Sequence, residues 1–396
     1  MRTSLKKKYI LPSGFKSSGI WSGVRNNRIR PDTGVIMSDV PCSKAMLFTR
    51  SRLKSEHIKH AKTIKGRVSA VFANSGNANV FVGPQGGKDI LLIENELCRL
   101  TGLKKGRMLF ASTGIIGKRL PVKRMLARMR ELVKNISDKD ENFPAAIMTT
   151  DTKEKAVTCT VKLGGKTARI TAAAKGAGMM APDMATMLVF VMTDAAVSGK
   201  MLYEAAKKAA DISFNRVTID GDMSPNDTVY VLANHKAGNR PVKAHGKDFD
   251  VLSGAMKDMF YELAEEMAMD GEGATKFIRI NIKNAASPGD AQKAALKAAN
   301  SLLVKTAFFG EALYMGRIIS ALASSGAVFL PEKADVFING RKCIEKGAEI
   351  QSKTLVREMK KRRIEITADL KAGSGEYFVL TTDLSHDYVK INADYS

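Results

Sequence analysis

Polar and apolar positions along this chain follow two periods. Short apolar runs bounded by turn residues predict strands at Val35 to Val40, Ala45 to Thr49, Arg67 to Phe72, Met108 to Ala111 and Met187 to Met192. The last is apolar throughout and reads as a buried strand. Val157 to Leu163 and Thr167 to Ala172 predict a hairpin turning at Gly164-Gly165. Helical spacing marks Lys88 to Leu100, Pro121 to Lys134, Lys200 to Ile212, Asp248 to Met269 and Arg317 to Ser325. A further helix is expected over about Ala291 to Val304, with Asp290 as its cap. Ala145 to Thr152 reads as a strand end lined with hydroxyls. The tail reads as an extended segment that puts Lys390, Asn392 and Ser396 on one face. Strands and helices therefore mix along the chain, an α/β pattern, with a sub-boundary expected near residues 285–290 (AASPGD).

Composition narrows the class. The 396 residues suffice for two domains or one large one. No apolar run approaches the roughly 18–20 residues of a membrane span, so no membrane partner is expected. The N-terminus is basic but has no apolar core after it, unlike a secretory signal. Cys42, Cys98, Cys159 and Cys343 are far apart, which favours reduced thiols in the cytoplasm over a disulfide framework or a zinc site. The net charge is +23. It is dispersed, and its densest clusters (Lys6-Lys7-Lys8 and Lys360-Lys361-Arg362-Arg363) are not interleaved with aromatics, so no specific nucleic-acid site is expected. The five histidines show no metal spacing, and His57 and His60 read as a surface face of a helix. Asp220, Asp222, Ser224 and Asn226 alternate as calcium ligands might. The EF-hand pattern needs Gly at its sixth position and Glu at its twelfth, where this chain has Pro225 and Val231. We expect neither metal nor resident cofactor.

One stretch suggests chemistry. Lys175 to Asp194, KGAGMMAPDMATMLVFVMTD, runs from a glycine-broken loop into the apolar strand. Thr186 stands where the loop enters the strand, a position that aims a hydroxyl while leaving space beside it. A threonine hydroxyl needs a base, and its own α-amine serves once the preceding peptide bond is cut. A free α-amine has a pKa of roughly 7.7–8.0, near working pH. Other segments offer polar groups at strand ends: Asn74-Ser75-Gly76-Asn77-Ala78-Asn79, Ser112-Thr113-Gly114, and Glu272 between Gly271 and Gly273.

These motifs, with Lys305-Thr306-Ala307-Phe308-Phe309-Gly310-Glu311 and the C-terminal Asp387 to Tyr395, resemble the glutamate N-acetyltransferase/ornithine acetyltransferase family of arginine biosynthesis. The resemblance implies a layered α/β sandwich of mixed sheets with helices. It implies self-cleavage between Ala185 and Thr186, into an α chain 1–185 and a β chain 186–396 joined as an α2β2 heterotetramer. Thr186 would be the acetyl-accepting nucleophile, and Thr113 and Gly114 the oxyanion hole. The substrates would be N2-acetylornithine and glutamate, with acetyl-CoA as an alternative donor. On charge grounds, Lys175, Thr152 and Asn392 are assigned to the substrate α-carboxylate, Glu272 to the ornithine side-chain ammonium, and Ser396 to a last substrate contact. Two departures stand out. The family reads D-P-N-W-G-R where this chain has Ala312-Leu313-Tyr314-Met315-Gly316-Arg317, and its tail has one more residue before the terminal Ser or Thr. The rival functions are a self-cleaving amidohydrolase or aminopeptidase, with water as acceptor, and a basic polyanion-binding protein without catalysis.

Overall fold

One bent strand organises the first of two compact units. The computed structural model describes residues 3–26, 30–181, 187–345 and 347–394. The first unit takes residues 1–176, 183–215 and 223–267; the second takes 177–182, 216–222 and 268–396. In the first unit the strands are β1 (Phe15–Ile20), β2 (Thr33–Phe48), β3 (Val68–Asn77), β4 (Met108–Ile115), β5 (Lys155–Leu163), β6 (Lys166–Lys175), β7 (Leu188–Thr193) and β8 (Thr228–Ala233). Their order is β4-β3-β2-β8-β7-β6-β5, with β1 beside β2. The β3/β4 and β7/β8 pairs are parallel and the others antiparallel, so the sheet is mixed. The runs around Val35 and Ala45 are one strand, β2. Its first part pairs with β1 and β3, its last six residues pair with β8, and the register shifts between Met37 and Cys42. Pro41 lies in that interval and cannot donate to a ladder, which suits a bulge.

The two-residue period of β3 shows why the sheet is covered on both faces. Ala70 and Phe72 join a cluster with Ile90, Ile93 and Leu97 of α2 (Gln85–Thr101) and Met125, Met129 and Leu132 of α3 (Val122–Lys134). Val71 and Ala73 join a second cluster with Phe143, Phe190 and Tyr230. Phe143 and Phe190 meet edge to face with ring centroids 5.2 Å apart. Helices α1 (Glu56–Thr63), α4 (Phe143–Ile147), α5 (Gly199–Asp211) and α6 (Lys247–Met269) complete the set before β9. The hairpin at Gly164-Gly165 is present, both glycines with positive φ.

The second unit has β9 (Phe277–Ala285), β10 (Asp335–Ile338), β11 (Arg341–Glu345), β12 (Ala348–Glu349), β13 (Arg363–Asp369) and β14 (Gly375–Thr382), in the order β12-β11-β10-β13-β9-β14. Only β13 and β9 run parallel among these pairs. Helix α7 (Pro288–Ala299) buries Ala291, Ala294, Ala295, Ala298 and Ala299, spaced as one helix face. Small side chains there let the helix lie close on β9 and β14, and larger ones would overpack at about 1–3 kcal/mol each. Helices α8 (Leu302–Phe309), α9 (Met315–Ala323), α10 (Lys353–Met359) and α11 (His386–Ala393) follow.

The structure differs from several local expectations. Ala145 to Thr152 is not a strand end: α4 occupies its beginning, started by Pro144 in the first turn, where a missing N–H costs nothing. The helix expected over 291–304 is two. Ser287, rather than Asp290, caps α7 by accepting from Asp290 N at 3.1 Å, and Ser301 starts α8 in the same way from Val304 N at 3.4 Å. The tail is not extended. Ser385 accepts from Tyr388 N at 3.3 Å and starts α11, so Lys390 and Asn392 stand on a helix. The boundary expected near 285–290 is the turn from β9 to α7, inside the second unit.

Candidate active site

In the first unit, the site grows from the parallel ends of β3 and β4. Three asparagines shape this corner. Asn74 Nδ2 donates to Asn77 O at 2.9 Å, and Ser112 Oγ donates to Asn74 Oδ1 at 2.8 Å. Asn77 Oδ1 accepts from Asn79 N at 2.9 Å, while its Nδ2 reaches Lys118 O at 3.0 Å and Arg119 O at 3.1 Å. Gly114 has φ of 131°. A Cβ there would lie 2.5 Å from Asn77 N and 2.7 Å from Gly76 Cα. Only glycine lets these two strand ends lie together.

Lys175, the last residue of β6, is 2% exposed. Its Nζ donates to Thr113 Oγ1 at 3.2 Å. A buried ammonium is expensive unless paired, and beside it the chain places a carboxylate that the sequence reading missed. Asp151 is buried. Its Oδ1 accepts from Lys155 Nζ at 2.7 Å and from Gly176 N at 2.9 Å, and its Oδ2 accepts from Thr149 N at 2.9 Å. Burial works to raise this carboxyl, but the charges of Lys155 and Lys175 outweigh it and hold the group well below the usual carboxylate range. Thr152 follows Asp151 on the same turn, with an exposed side chain. The structure thus brings Thr113, Gly114 and Lys175 together, with Thr152 next in chain to the carboxylate that fixes the Lys175-Gly176 link.

In the second unit, Glu272 sits on the turn after α6. Its N–H donates to Ala177 O at 2.8 Å, and its Oε2 accepts from Asn392 Nδ2 at 2.9 Å. Glu272 and Asn392 are therefore partners. Gly178 lies against the carboxylate: a Cβ there would come to 2.5 Å from Glu272 Oε1. The loop of Gly178 is pinned by Asp220, whose Oδ2 accepts from Met179 N at 2.5 Å and whose Oδ1 accepts from Met180 N at 2.9 Å and Asp222 N at 3.1 Å. This gives the Asp220-Gly221-Asp222 turn its work: it holds a glycine loop. Asp383 fixes the other side of the Glu272 turn, its Oδ1 accepting from the amides of Thr275 and Lys276 at 2.9 Å each.

Ala185, Thr186 and Ser396 lie outside the described residues. His57, expected on a surface face, is instead fully buried because α1 packs against β4. Among the described residues, no three His, Cys, Asp or Glu side chains gather as a metal site would, and no helix is long and apolar enough to cross a membrane. Neither Asp151 nor His57 had a local signal, since their partners depend on the fold.

Residues 16–396 match the ArgJ family. The arginine biosynthesis bifunctional protein ArgJ of Symbiobacterium thermophilum is 40% identical over 390 residues, covering 97% of each chain. Its namesake from Geobacter sulfurreducens is 40% identical over 395 residues, covering 96% of this chain and 98% of the other. Among solved structures, the crystal structure of the arginine biosynthesis bifunctional protein from Bacillus halodurans is 33% identical. It covers 52% of this chain and 98% of its own, with a TM-score of 0.49.

Proposed function

The chain belongs to the ArgJ family and is an acetyltransferase of arginine biosynthesis; from that premise we propose that it carries an acetyl group from N2-acetylornithine to glutamate through Thr186. The precursor cuts itself first. Thr186 Oγ attacks the Ala185 carbonyl carbon, the C–N bond breaks, the hydroxyl proton passes to the departing amine, and water cleaves the resulting ester. Pieces 1–185 and 186–396 remain. The free Thr186 amine then takes the proton from its own hydroxyl as that hydroxyl attacks the acetyl carbonyl. Ornithine leaves with a proton, and glutamate's amine takes the acetyl group in the second half-reaction.

The observation that carries this reading is the buried Lys175 ammonium on Thr113 Oγ1 beside Gly114. A hydroxyl that accepts from a lysine keeps its own proton for donation. Thr113 O–H and Gly114 N–H can both serve an oxyanion, and one such donor is typically worth about 2.7–4 kcal/mol. Lys175, Thr152 and Asn392 are assigned to the α-carboxylate common to both amino acids, Glu272 to the ornithine side-chain ammonium, and Ser396 to a terminal contact. No resident cofactor is required; acetyl-CoA would serve as an alternative donor of the same group. The working form is taken to be an α2β2 heterotetramer of the two pieces in the cytoplasm.

Intact-mass measurement tests the scheme. Active protein should show two chains divided before Thr186, and the 186–396 piece should gain one acetyl group on mixing with N2-acetylornithine. Thr186→Ala should stay one chain. Active material with the 185–186 bond closed would remove the base and overturn the scheme.

A further inference from the structure

The turn that leads into β8 carries three consecutive side chains that the scheme above leaves without a task. Asn226 Nδ2 donates to Ser112 O at 2.5 Å and to Ala78 O at 2.7 Å. Ser112 immediately precedes Thr113. Asp227, fully buried, accepts from Met187 N at 3.0 Å through Oδ1. That amide belongs to the peptide bond whose carbonyl is that of Thr186. Thr228 Oγ1 donates to Asn226 O at 2.9 Å and lies 3.0 Å from His57 Nε2, so it accepts there from the ring N–H. His57 Nδ1 is then an acceptor, shared between Ser55 Oγ at 2.7 Å and the Ser112 N–H at 3.3 Å. Burial drives His57 down to about 3, which keeps the ring neutral, as this bonding requires. Both backbone groups of Ser112 are therefore held from one turn, its carbonyl by Asn226 and its amide through His57 and Thr228.

We propose that the Asn226-Asp227-Thr228 turn is the positioning element of the acetyl-transfer site: three adjacent side chains fix the spacing between the strand that carries Thr113-Gly114 and the strand that follows Thr186. The proposal rests on the roles given above to Thr113, Gly114 and Thr186. The fold supplies the rigidity. Thr228 opens β8, which runs parallel to β7 with Leu188 opposite Thr228, so the turn is tied into the ladder it measures from. Asp227 also bears on which variants are informative. Its Oδ2 has no hydrogen-bond partner among the described residues; the nearby Thr49 Oγ1 donates instead to Ser224 O at 2.7 Å. Burial pushes Asp227 well above the usual carboxylate range, against the Met187 N–H and the Lys175 charge. A carboxyl that works through one accepting oxygen is closely copied by asparagine and lost with alanine.

Steady-state kinetics with N2-acetylornithine and glutamate on the full, matured protein tests this. Asp227→Ala and Asn226→Ala should each lower kcat by about 10- to 100-fold, with KM changed by less than about threefold, the mark of misplaced reacting groups. Asp227→Asn should keep kcat within about threefold of the parent. A variant that matures slowly is read by its self-cleavage rate, with the same ranking expected. If Asp227→Ala keeps the parental kcat, the turn positions nothing. If folded Asp227→Asn falls as far as alanine, the carboxyl acts chemically and the positioning role is wrong. A parent enzyme that never carries acetyl on Thr186 would instead sink the underlying scheme, a result separable by mass from either.

Discussion

Adding a single methyl group at Gly178 should separate substrate recognition from folding. Gly178 does not use the left-handed backbone region, so alanine is not strained there. What its Cβ meets is the Glu272 carboxylate, with Oε1 at 2.5 Å where ordinary contact begins near 3.4 Å. The carboxylate sits at the end of a flexible side chain and gives way by about 1 Å. That displacement stretches the 2.9 Å bond from Asn392 Nδ2 past the range of a hydrogen bond. A hydrogen bond to a charged group contributes about 1.5–3 kcal/mol. If Glu272 pairs with the ornithine ammonium, Gly178→Ala should raise KM for N2-acetylornithine by about 10- to 100-fold. The thermal midpoint should change by less than about 3 °C. The contrasting variant is Gly114→Ala, whose Cβ meets backbone atoms of Gly76 and Asn77 that cannot swing aside; it should lose stability and activity together. Initial rates against acetylornithine, with differential scanning calorimetry on the same samples, decide the matter. A Gly178→Ala enzyme with parental KM would refute the role of Glu272, and one that melts many degrees lower would refute the claim that the carboxylate yields.

Two further outcomes follow from buried charge. Asp151→Asn should cost about 3–5 kcal/mol in urea unfolding, because it leaves the Lys155 ammonium buried without its carboxylate; a loss under about 1 kcal/mol would show that the pair is dispensable. Lys305 Nζ is buried against Thr381 Oγ1 at 3.1 Å and Thr382 O at 2.5 Å, and burial depresses it from 10.5 to about 8. Its folded value lies below its unfolded one, so the unfolded chain binds more protons between those limits and stability rises with pH there. The cost of burying the charge is present in full below about pH 8. Relative to Lys305→Met, the parent should gain on the order of 3 kcal/mol across that window, and parallel stability curves would contradict the shift.

Much of the scaffold was legible because its signals are local. The MLVFVM run is β7, the glycine pair turns β5 into β6, and the longest amphipathic stretch is α6. Errors arose where one side chain overrode a pattern. Ser385 turns an alternating tail into a helix, and Ser301 cuts one apolar helix into two. At the site, Thr113, Gly114 and Lys175 were named from the sequence and do meet. Asp151 went unmarked, His57 read as surface, and the weight of Asp227 was hidden, since their meaning lies in partners such as Gly176, Ser112 and Met187, brought near only by the sheet.

The ladder through the middle of the first sheet bears on how such a protein can be made. β6 pairs with β7 from Ile170 opposite Thr193 to Lys175 opposite Leu188, and β2 pairs with β8 from Ser43 opposite Ala233 to Phe48 opposite Thr228. Both seams join chain before residue 185 to chain after 186. A gene divided there into two reading frames would release products with raw edges, β2 and β6 on one and β7 and β8 on the other, each a template for aggregation. Each product would need its counterpart present as it left the ribosome, and a single continuous frame supplies both sides of each seam together.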